Sequence, residues 1–431
     1  MNKEELLNTL TSSCDELEKQ TGHQRSLVLK NIAAGLSSSK KEIAALISKE
    51  AKKPIKYALQ EVARSIHVFE IAAEETKRQP REYIDLDWTS GPAKQGLVKH
   101  FPIGPVLGIT PFNFPLNLVA HKVAPAIAAG CPIVIKPSPK TPLVAQKLID
   151  IVKGSGAVAN SVQCIELSNE EVHEWVADDR FAMVSFTGSA EVGWHLKSIA
   201  GKKKVMLELG GNAGTIITPT ADLVHAAKRC TIGGYAYAGQ VCIHTQRIYV
   251  HDSCFDHFVE HLLANISNLE MGKLMDPSTD FGEMITEEAA VRVEKWIDEA
   301  MKQGAKIVTG GKRRGNLIEP TLLTNTKATM NVVCEEIFGP VVIVERYTLF
   351  SDAIDAINNG RFGLQAGIFT DSHQEIQDAF HQLKVGAVIV NDVPTFRADH
   401  MPYGGIKDSG FGREGIKYTM QELTEPRLLV V

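Results

Sequence analysis

The residues able to do chemistry stand where apolar runs stop. Val205-Met-Leu-Glu208-Leu-Gly-Gly211 places an acid at the end of a strand-like run, followed by glycines that let a ligand approach the backbone closely. A carboxylate there is costly unless it is hydrogen-bonded or raised in pKa, so Glu208 is a better general-base candidate than a surface acid. Gly239-Gln-Val-Cys242 supplies a thiol further along, although a lone cysteine reads by default as an inert core residue. Val106-Leu-Gly-Ile109-Thr110-Pro111-Phe112-Asn113-Phe114-Pro115 runs from a strand into a turn fixed by two prolines, where Asn113 either caps the helix from Leu116 onward or faces a ligand. Ile133-Val-Ile-Lys136-Pro-Ser138 puts an ammonium at a strand end, within reach of a hydroxyl or phosphate, or simply at the surface. Ser185-Phe-Thr-Gly188-Ser189 passes from strand through glycine to helix, which favours a pyrophosphate or, more plainly, a capped helix start.

Other strings carry less. Gly410-Phe-Gly-Arg-Glu-Gly415 matches G-x-G-x-x-G, but no strand is expected before it, so it reads as a loop. Gly154-Ser-Gly-Ala-Val-Ala159 follows an amphipathic helix and reads as a helix-ending turn. No phosphate-loop string occurs. Cys242 and His244 lack the second ligand pair that a metal site requires, and Lys202 to Lys204 reads as a solvated turn.

These groups need a scaffold, and 431 residues with 44% hydrophobic and 23% charged content supply a large core in two or three lobes. A formal charge of −5 lacks the basic excess that nucleic acid selects. The longest apolar stretch, Val123 to Ile135, contains two prolines and is too short to span a bilayer. Met1 to Lys19 lacks the apolar core of a secretory signal, and seven scattered cysteines without C-x-x-C pairs suit free thiols, so a cytoplasmic protein without a membrane partner is expected.

Helical spacing runs from Gln24 to Lys77. Residues 80 to 102 then read as a linker or protruding hairpin. Strands are expected at Val106 to Ile109, Ile133 to Ile135, Val162 to Ile165, Met183 to Phe186 and Val205 to Leu207, with helices near 116–129, 141–153 and 189–200. This βαβ alternation implies a parallel sheet covered on both faces. After Gly210 the same texture resumes, with helices near 221–236, 286–303 and 351–358 and strands at Arg247 to Val250, Val341 to Val344 and Val388 to Asn391. Leu428 to Val431 suits a terminal strand.

Seven ordered blocks together resemble the NAD(P)-dependent aldehyde dehydrogenase superfamily: Phe112-Asn113-Phe-Pro, Ile135-Lys136-Pro-Ser, Phe186 to Gly193, Glu208-Leu-Gly-Gly-Asn212, Gly239-Gln-Val-Cys242, Glu336-Ile-Phe338-Gly-Pro340 and Pro402-Tyr403 to Gly410. The resemblance implies an α/β fold with a Rossmann-type coenzyme domain (1–82 and 103–209), an α/β catalytic domain (210–408) and a small β oligomerisation flap (83–102 with 409–431). It implies Cys242 as nucleophile, Asn113 with the Cys242 N–H as oxyanion donors, and Glu208 as the base that hydrolyses a thioester. It assigns NAD or NADP to Ile109, Thr110, Pro111, Phe112, Lys136, Ser138, Gly188, Ser189, Leu209, Gly210, Glu336 and Phe338. Substrate contacts fall to Phe114, His121, Arg397 and Tyr403, no metal is implied, and a homodimer or homotetramer is expected. Runners-up are a coenzyme A-acylating enzyme, whose relatives generally lack the glutamate, and a non-catalytic structural relative.

Several departures from the family pattern shape further expectations. Members generally carry strands before the first helices, whereas this sequence starts almost at the helical segment, so edge coverage is expected to differ. The usual proline-glycine turn before the strand leading to Phe186 is replaced by Gly154 to Asn160, which reshapes the adenine end. Pro139 occupies a place that is often acidic in NAD-preferring members, so dual or NADP-leaning specificity is expected. Arg397 and His121 replace common aromatics; Arg397 either binds an anionic substrate or pairs with an acid such as Asp399, and small polar or anionic aldehydes are expected.

Overall fold

Helices α1 (Lys3–Lys19), α2 (Gly22–Ser38), α3 (Lys40–Ala51) and α4 (Ile55–Glu75) open the chain in the computed structural model, which describes residues 3–431. Thr21 starts α2 through a capping box with Gln24, and Leu29, Ile32, Leu36, Ile43, Ile47, Val62 and Phe69 bury the inner faces of α2 to α4 in one core. Helix α1 was not expected from its charged string. Its leucines Leu6, Leu7 and Leu10 nevertheless share a face and pack with Trp175 and Val176, while Lys3 and Glu4 pair with Asp178 and Arg180.

The stretch after α4 is a hairpin, β1 (Arg81–Asp85) with β2 (Gln95–Pro102), and the C-terminal strand Thr424–Val430 pairs antiparallel with β2. The main body then begins with β3 (Val106–Ile109), α5 (Asn117–Ala129), β4 (Ile133–Lys136), α6 (Pro142–Lys153), β5 (Val162–Cys164), α7 (Asn169–Ala177), β6 (Met183–Thr187), α8 (Ala190–Ile199) and β7 (Lys204–Glu208). These strands form a six-stranded sheet in the order Gly410–Phe411, β7, β6, β3, β4, β5, parallel except at the first pair. The second sheet has seven strands, with β8 (Gly214–Ile217) and β9 (Arg247–His251) near its middle and Ala387–Val390 at one edge. Between β8 and β9 lies α9 (Leu223–Tyr235).

Two expectations are corrected. Gly410-Phe411 is a strand, pairing with Glu208 and Leu207 of β7; two residues are too few for alternation to show in a sequence. Lys204 is anchored rather than solvated, its ammonium donating to the carbonyls of Glu422 (3.2 Å) and Thr424 (3.3 Å). The membrane expectation concerns helices, and among the described residues none is long and apolar enough to cross a bilayer.

One buried contact ties the opening helices to the sheet. Glu61 of α4 accepts from the N–H groups of Leu116 (2.9 Å) and Asn117 (3.2 Å), so a side chain from another helix caps α5, and Lys53 neutralises it. Lys53→Met leaves that carboxylate buried without a cation. It is expected to cost about 3 kcal/mol, read as a lower denaturation midpoint in urea.

Candidate active site

Strand order in the six-stranded sheet reverses at β3. The chain steps from β3 to β4 and β5 on one side, then returns to β6 and β7 on the other. The carboxyl ends of β3 and β6 therefore diverge into the crevice where open α/β sheets bind ligands. A cavity of about 570 Å³ opens there, and its wall includes Pro111, Phe112, Asn113 and Phe114 after β3, Gly188 and Ser189 after β6, and Glu208, Leu209 and Gly210 after β7. From the second lobe come Cys242, Glu336, Phe338, Arg397 and Tyr403.

The loop carrying Cys242 is wound against the usual hand. Tyr237, Ala238 and Gly239 have φ of 54°, 52° and 66°, a run that costs energy at the two non-glycine positions and that surrounding packing must enforce. Tyr237 is held by its hydroxyl on the Ala51 carbonyl (2.7 Å), and a Cβ on Gly239 would lie 2.3 Å from the Gly339 carbonyl oxygen. The half-buried Cys242 Sγ lies 3.2 Å from the Tyr403 hydroxyl. Burial pushes the thiol up to about 11, and the contact with Tyr403 opposes that shift. Tyr403, raised well above its ordinary value by burial, stays a neutral O–H that can donate to the sulfur. Among the described residues the backbone N–H of Cys242 has no protein acceptor.

Asn113 does not cap α5. Its amide donates to the Gln240 carbonyl (3.1 Å) and its oxygen accepts from the Phe114 N–H (3.1 Å), which leaves one amide hydrogen free. Glu208 is buried with neither oxygen hydrogen-bonded, and desolvation with the nearby Glu414 raises it well above the ordinary carboxylate range. Glu336 is also raised, to about 7, by burial; its Oε1 accepts from the Gly211 N–H (3.2 Å). A Cβ on Gly210 would crowd this carboxylate and oblige it to shift. Ser189 is the N-cap residue of α8, yet its side chain makes no capping bond, so the helix start is open.

Ile109, Thr110, Lys136 and Ser138 stand outside the cavity wall, at or just beyond the carboxyl ends of β3 and β4. Ile109 and Lys136 are level in register, and the Thr110 N–H donates to the Lys136 carbonyl (3.1 Å). The Ser138 hydroxyl accepts from the Lys140 N–H (3.2 Å). Lys136 is nearly buried and forms no ion pair among the described residues, and desolvation lowers its pKa. His121 departs from its expected place as a substrate contact. It lies buried outside the cavity wall, its Nε2 2.9 Å from Asp399, whose other partner is Arg64 (2.6 Å). Arg397 does line the cavity, and its ion pair is with Glu414 (3.1 Å) rather than Asp399, while its guanidinium stacks on the Tyr403 ring at 3.7 Å.

The sequence reading missed Lys122 and Glu414. Lys122, fully buried in α5, meets Glu414 at 3.1 Å and donates to Ser185 at 2.8 Å. A lysine in the middle of an apolar helix was the available signal. Glu414 was hidden in a glycine-rich string that gave no hint of burial.

Fold and cavity together define an enzyme of the doubly wound α/β class. Residues 5–429 match the aldehyde dehydrogenase family. The 3-sulfolactaldehyde dehydrogenase of Priestia megaterium is 40% identical over 432 residues, spanning 100% of this chain and 91% of that protein. The lactaldehyde dehydrogenase of Methanococcus aeolicus is 39% identical over 417 residues, 94% of this chain and 87% of its own. Among solved structures, an aldehyde dehydrogenase from Physcomitrella patens in complex with the reaction product succinate aligns with a TM-score of 0.97 and 42% identity, covering 99% of this chain and 90% of that one. A glyceraldehyde-3-phosphate dehydrogenase from Methanocaldococcus jannaschii complexed with NADP aligns with a TM-score of 0.95 and 36% identity, covering 99% and 93%. The chain belongs to the aldehyde dehydrogenase family and is an NAD(P)-dependent oxidoreductase of aldehydes.

Tyr403→Phe removes a donor from the sulfur and so destabilises the thiolate relative to the thiol. Hydrogen bonds to charged groups are worth about 1.5–3 kcal/mol, equivalent to roughly one pKa unit or more. The pH profile of Cys242 alkylation by iodoacetamide is expected to move upward by about that much.

Proposed function

We propose that this enzyme oxidises a small polar or anionic aldehyde to its carboxylic acid through covalent chemistry at Cys242. The observation that carries the reading is the convergence of the Cys242 thiol, the Asn113 amide and the Glu208 carboxyl on one cavity. The Cys242 sulfur, as thiolate, adds to the carbonyl carbon and the carbonyl electrons move to oxygen. The remaining amide hydrogen of Asn113 and the unpaired N–H of Cys242 donate to that oxyanion. The oxyanion then collapses to the carbonyl of a thioester on Cys242 as the carbon loses its hydride, for which a nicotinamide held here would be the acceptor. Glu208 then takes a proton from water as the water attacks the thioester carbon; the C–S bond breaks, the acid leaves and the sulfur is restored.

The coenzyme fits this site on the chain's own chemistry. The open start of α8 at Ser189 and the glycine before it suit a diphosphate. Lys136 and Glu336 offer a donor and an acceptor for ribose hydroxyls, while Phe338 stands edge-on to Phe112 at 6.0 Å across the nicotinamide side. No carboxylate pairs with Lys136 among the described residues, which leaves its ammonium available to a 2′-phosphate.

The substrate class follows from charge. Lys122 and Arg397 share the carboxylate of Glu414, which they hold down at about 2, while burial raises Glu208 beside them. Of the two cations, Arg397 lines the cavity, so its guanidinium can meet an anionic group there. The named relatives act on sulfolactaldehyde and lactaldehyde, and a neighbouring structure holds succinate, all small and polar or anionic. Glu208 favours hydrolysis over transfer to coenzyme A. In this reading, residues 1–82 and 103–209 hold the coenzyme, 210–408 the catalytic residues, and 83–102 with 409–431 join copies into a homodimer or homotetramer. The exposed apolar strand end Leu428 to Val431 supports that assembly.

Three measurements test this. Glu208→Gln is expected to keep a burst of about one NAD(P)H per site while steady turnover falls about 10²–10⁴-fold; loss of the burst as well would contradict the assigned role. Because Cys242 and Glu208 are both raised and both act deprotonated, kcat/KM is expected to rise steadily from pH 6 to 9. In an aldehyde panel run with both coenzymes, NADP should serve at least as well as NAD. In the same panel, Arg397→Ala should raise KM about tenfold or more for anionic aldehydes, equivalent to about 1.4 kcal/mol, and leave uncharged ones of equal length near their original values.

A further inference from the structure

A second cavity, of about 730 Å³, shares no lining residue with the first. It lies between the start of α2, the end of α4 and the β1–β2 hairpin, and its charged lining is lopsided: Arg25, Lys77, Arg81 and Lys99 against the lone carboxylate of Glu18. Lys77 is already paired with Glu74 (3.1 Å), whereas Arg25, Arg81 and Lys99 form no ion pair among the described residues.

Arg25 lies at the base. It is nine-tenths buried, its Nε donates to the Ala128 carbonyl (3.2 Å) and one terminal nitrogen donates to the Gln20 carbonyl (2.7 Å), so its charge is held by neutral oxygens alone. Burial without a counter-ion is expensive for a cation. The rim repeats the pattern. Arg81 stands directly opposite Lys99 in the register of β1 and β2, and Lys99 directly opposite Arg427 on the C-terminal strand. Like charges across adjacent strands repel, and here three occupy one row. Lys99 and Arg427 settle on the Phe101 ring, at 4.9 and 4.1 Å, which relieves the repulsion only in part. The first turn of α2 also faces this space, with no acidic residue in it, and among the described residues its Gly22 and His23 N–H groups have no protein acceptor.

We infer that this cavity is a binding site for a small, multiply charged oxyanion, a phosphate compound or a polycarboxylate, which bridges Arg25 and the α2 start to the Arg81–Lys99 row. Such a ligand supplies the missing negative charge to both halves and clamps the hairpin to the helical layer.

The test uses the enzyme saturated with NADP+, so that the coenzyme's own phosphate subsites are filled, titrated calorimetrically at low ionic strength with inorganic pyrophosphate and, separately, with citrate. One anion is expected per chain, with a raised thermal midpoint. Stronger binding of pyrophosphate identifies a phosphate compound and stronger binding of citrate a polycarboxylate. Arg81→Gln combined with Lys99→Gln should weaken binding tenfold or more while aldehyde turnover is unchanged; both side chains are exposed on the hairpin, so folding is preserved. No binding of either anion by the wild type, or equal binding by the double variant, overturns the inference. If neither anion binds and the double variant loses its oligomeric state, the cavity receives an acidic surface of a second copy and the inference likewise fails.

Discussion

Glu414 brings a carboxylate to the place where three parts of the chain must agree. Lys122 reaches it from α5, Arg397 from the second lobe, and its own backbone pairs with Tyr403, the residue that touches the sulfur. Lys122 and Glu414 are sealed from water and the Arg397 side chain is largely so, and each charge is tolerable only while the others are present. The arrangement does more than hold. Glu208 nearby is raised first by its own burial and then by the Glu414 carboxylate, with Arg397 and Lys122 pulling the other way, so the cluster tunes the base as well as holding the lobes together.

Much of the scaffold was legible because its signals are local. Val106 to Ile109, Ile133 to Ile135 and Met183 to Phe186 are apolar runs too short for helices, and each became a parallel strand. The excursion at residues 80–102 could be read from prolines and polarity, and the terminal strand from the apolar run Leu428 to Val431. Cys242, Glu208 and Asn113 became convincing only as a set, since each had a plainer explanation alone.

What could not be read depends on contacts distant in sequence. Asn113 looked like a helix cap because a cap is a local event, whereas the acceptor of its amide, Gln240, lies in another lobe. His121 looked like a wall of the substrate channel, but Asp399, far along the chain, draws it into a hydrogen bond. The capping of α5 by Glu61, across a helix–helix contact, leaves no trace in either segment. Leu6, Leu7 and Leu10 did have helical spacing, and the surrounding charges concealed it.

The tip of the β1–β2 hairpin holds Trp88 with 93% of its surface open to solvent, while Trp175 is sealed in the core. An indole in that position emits at the long wavelength of a hydrated ring, and any surface that closes over the hairpin shifts its light toward the blue. The exposed indole at the flap thus adds a long-wavelength component to the emission of the other three tryptophans.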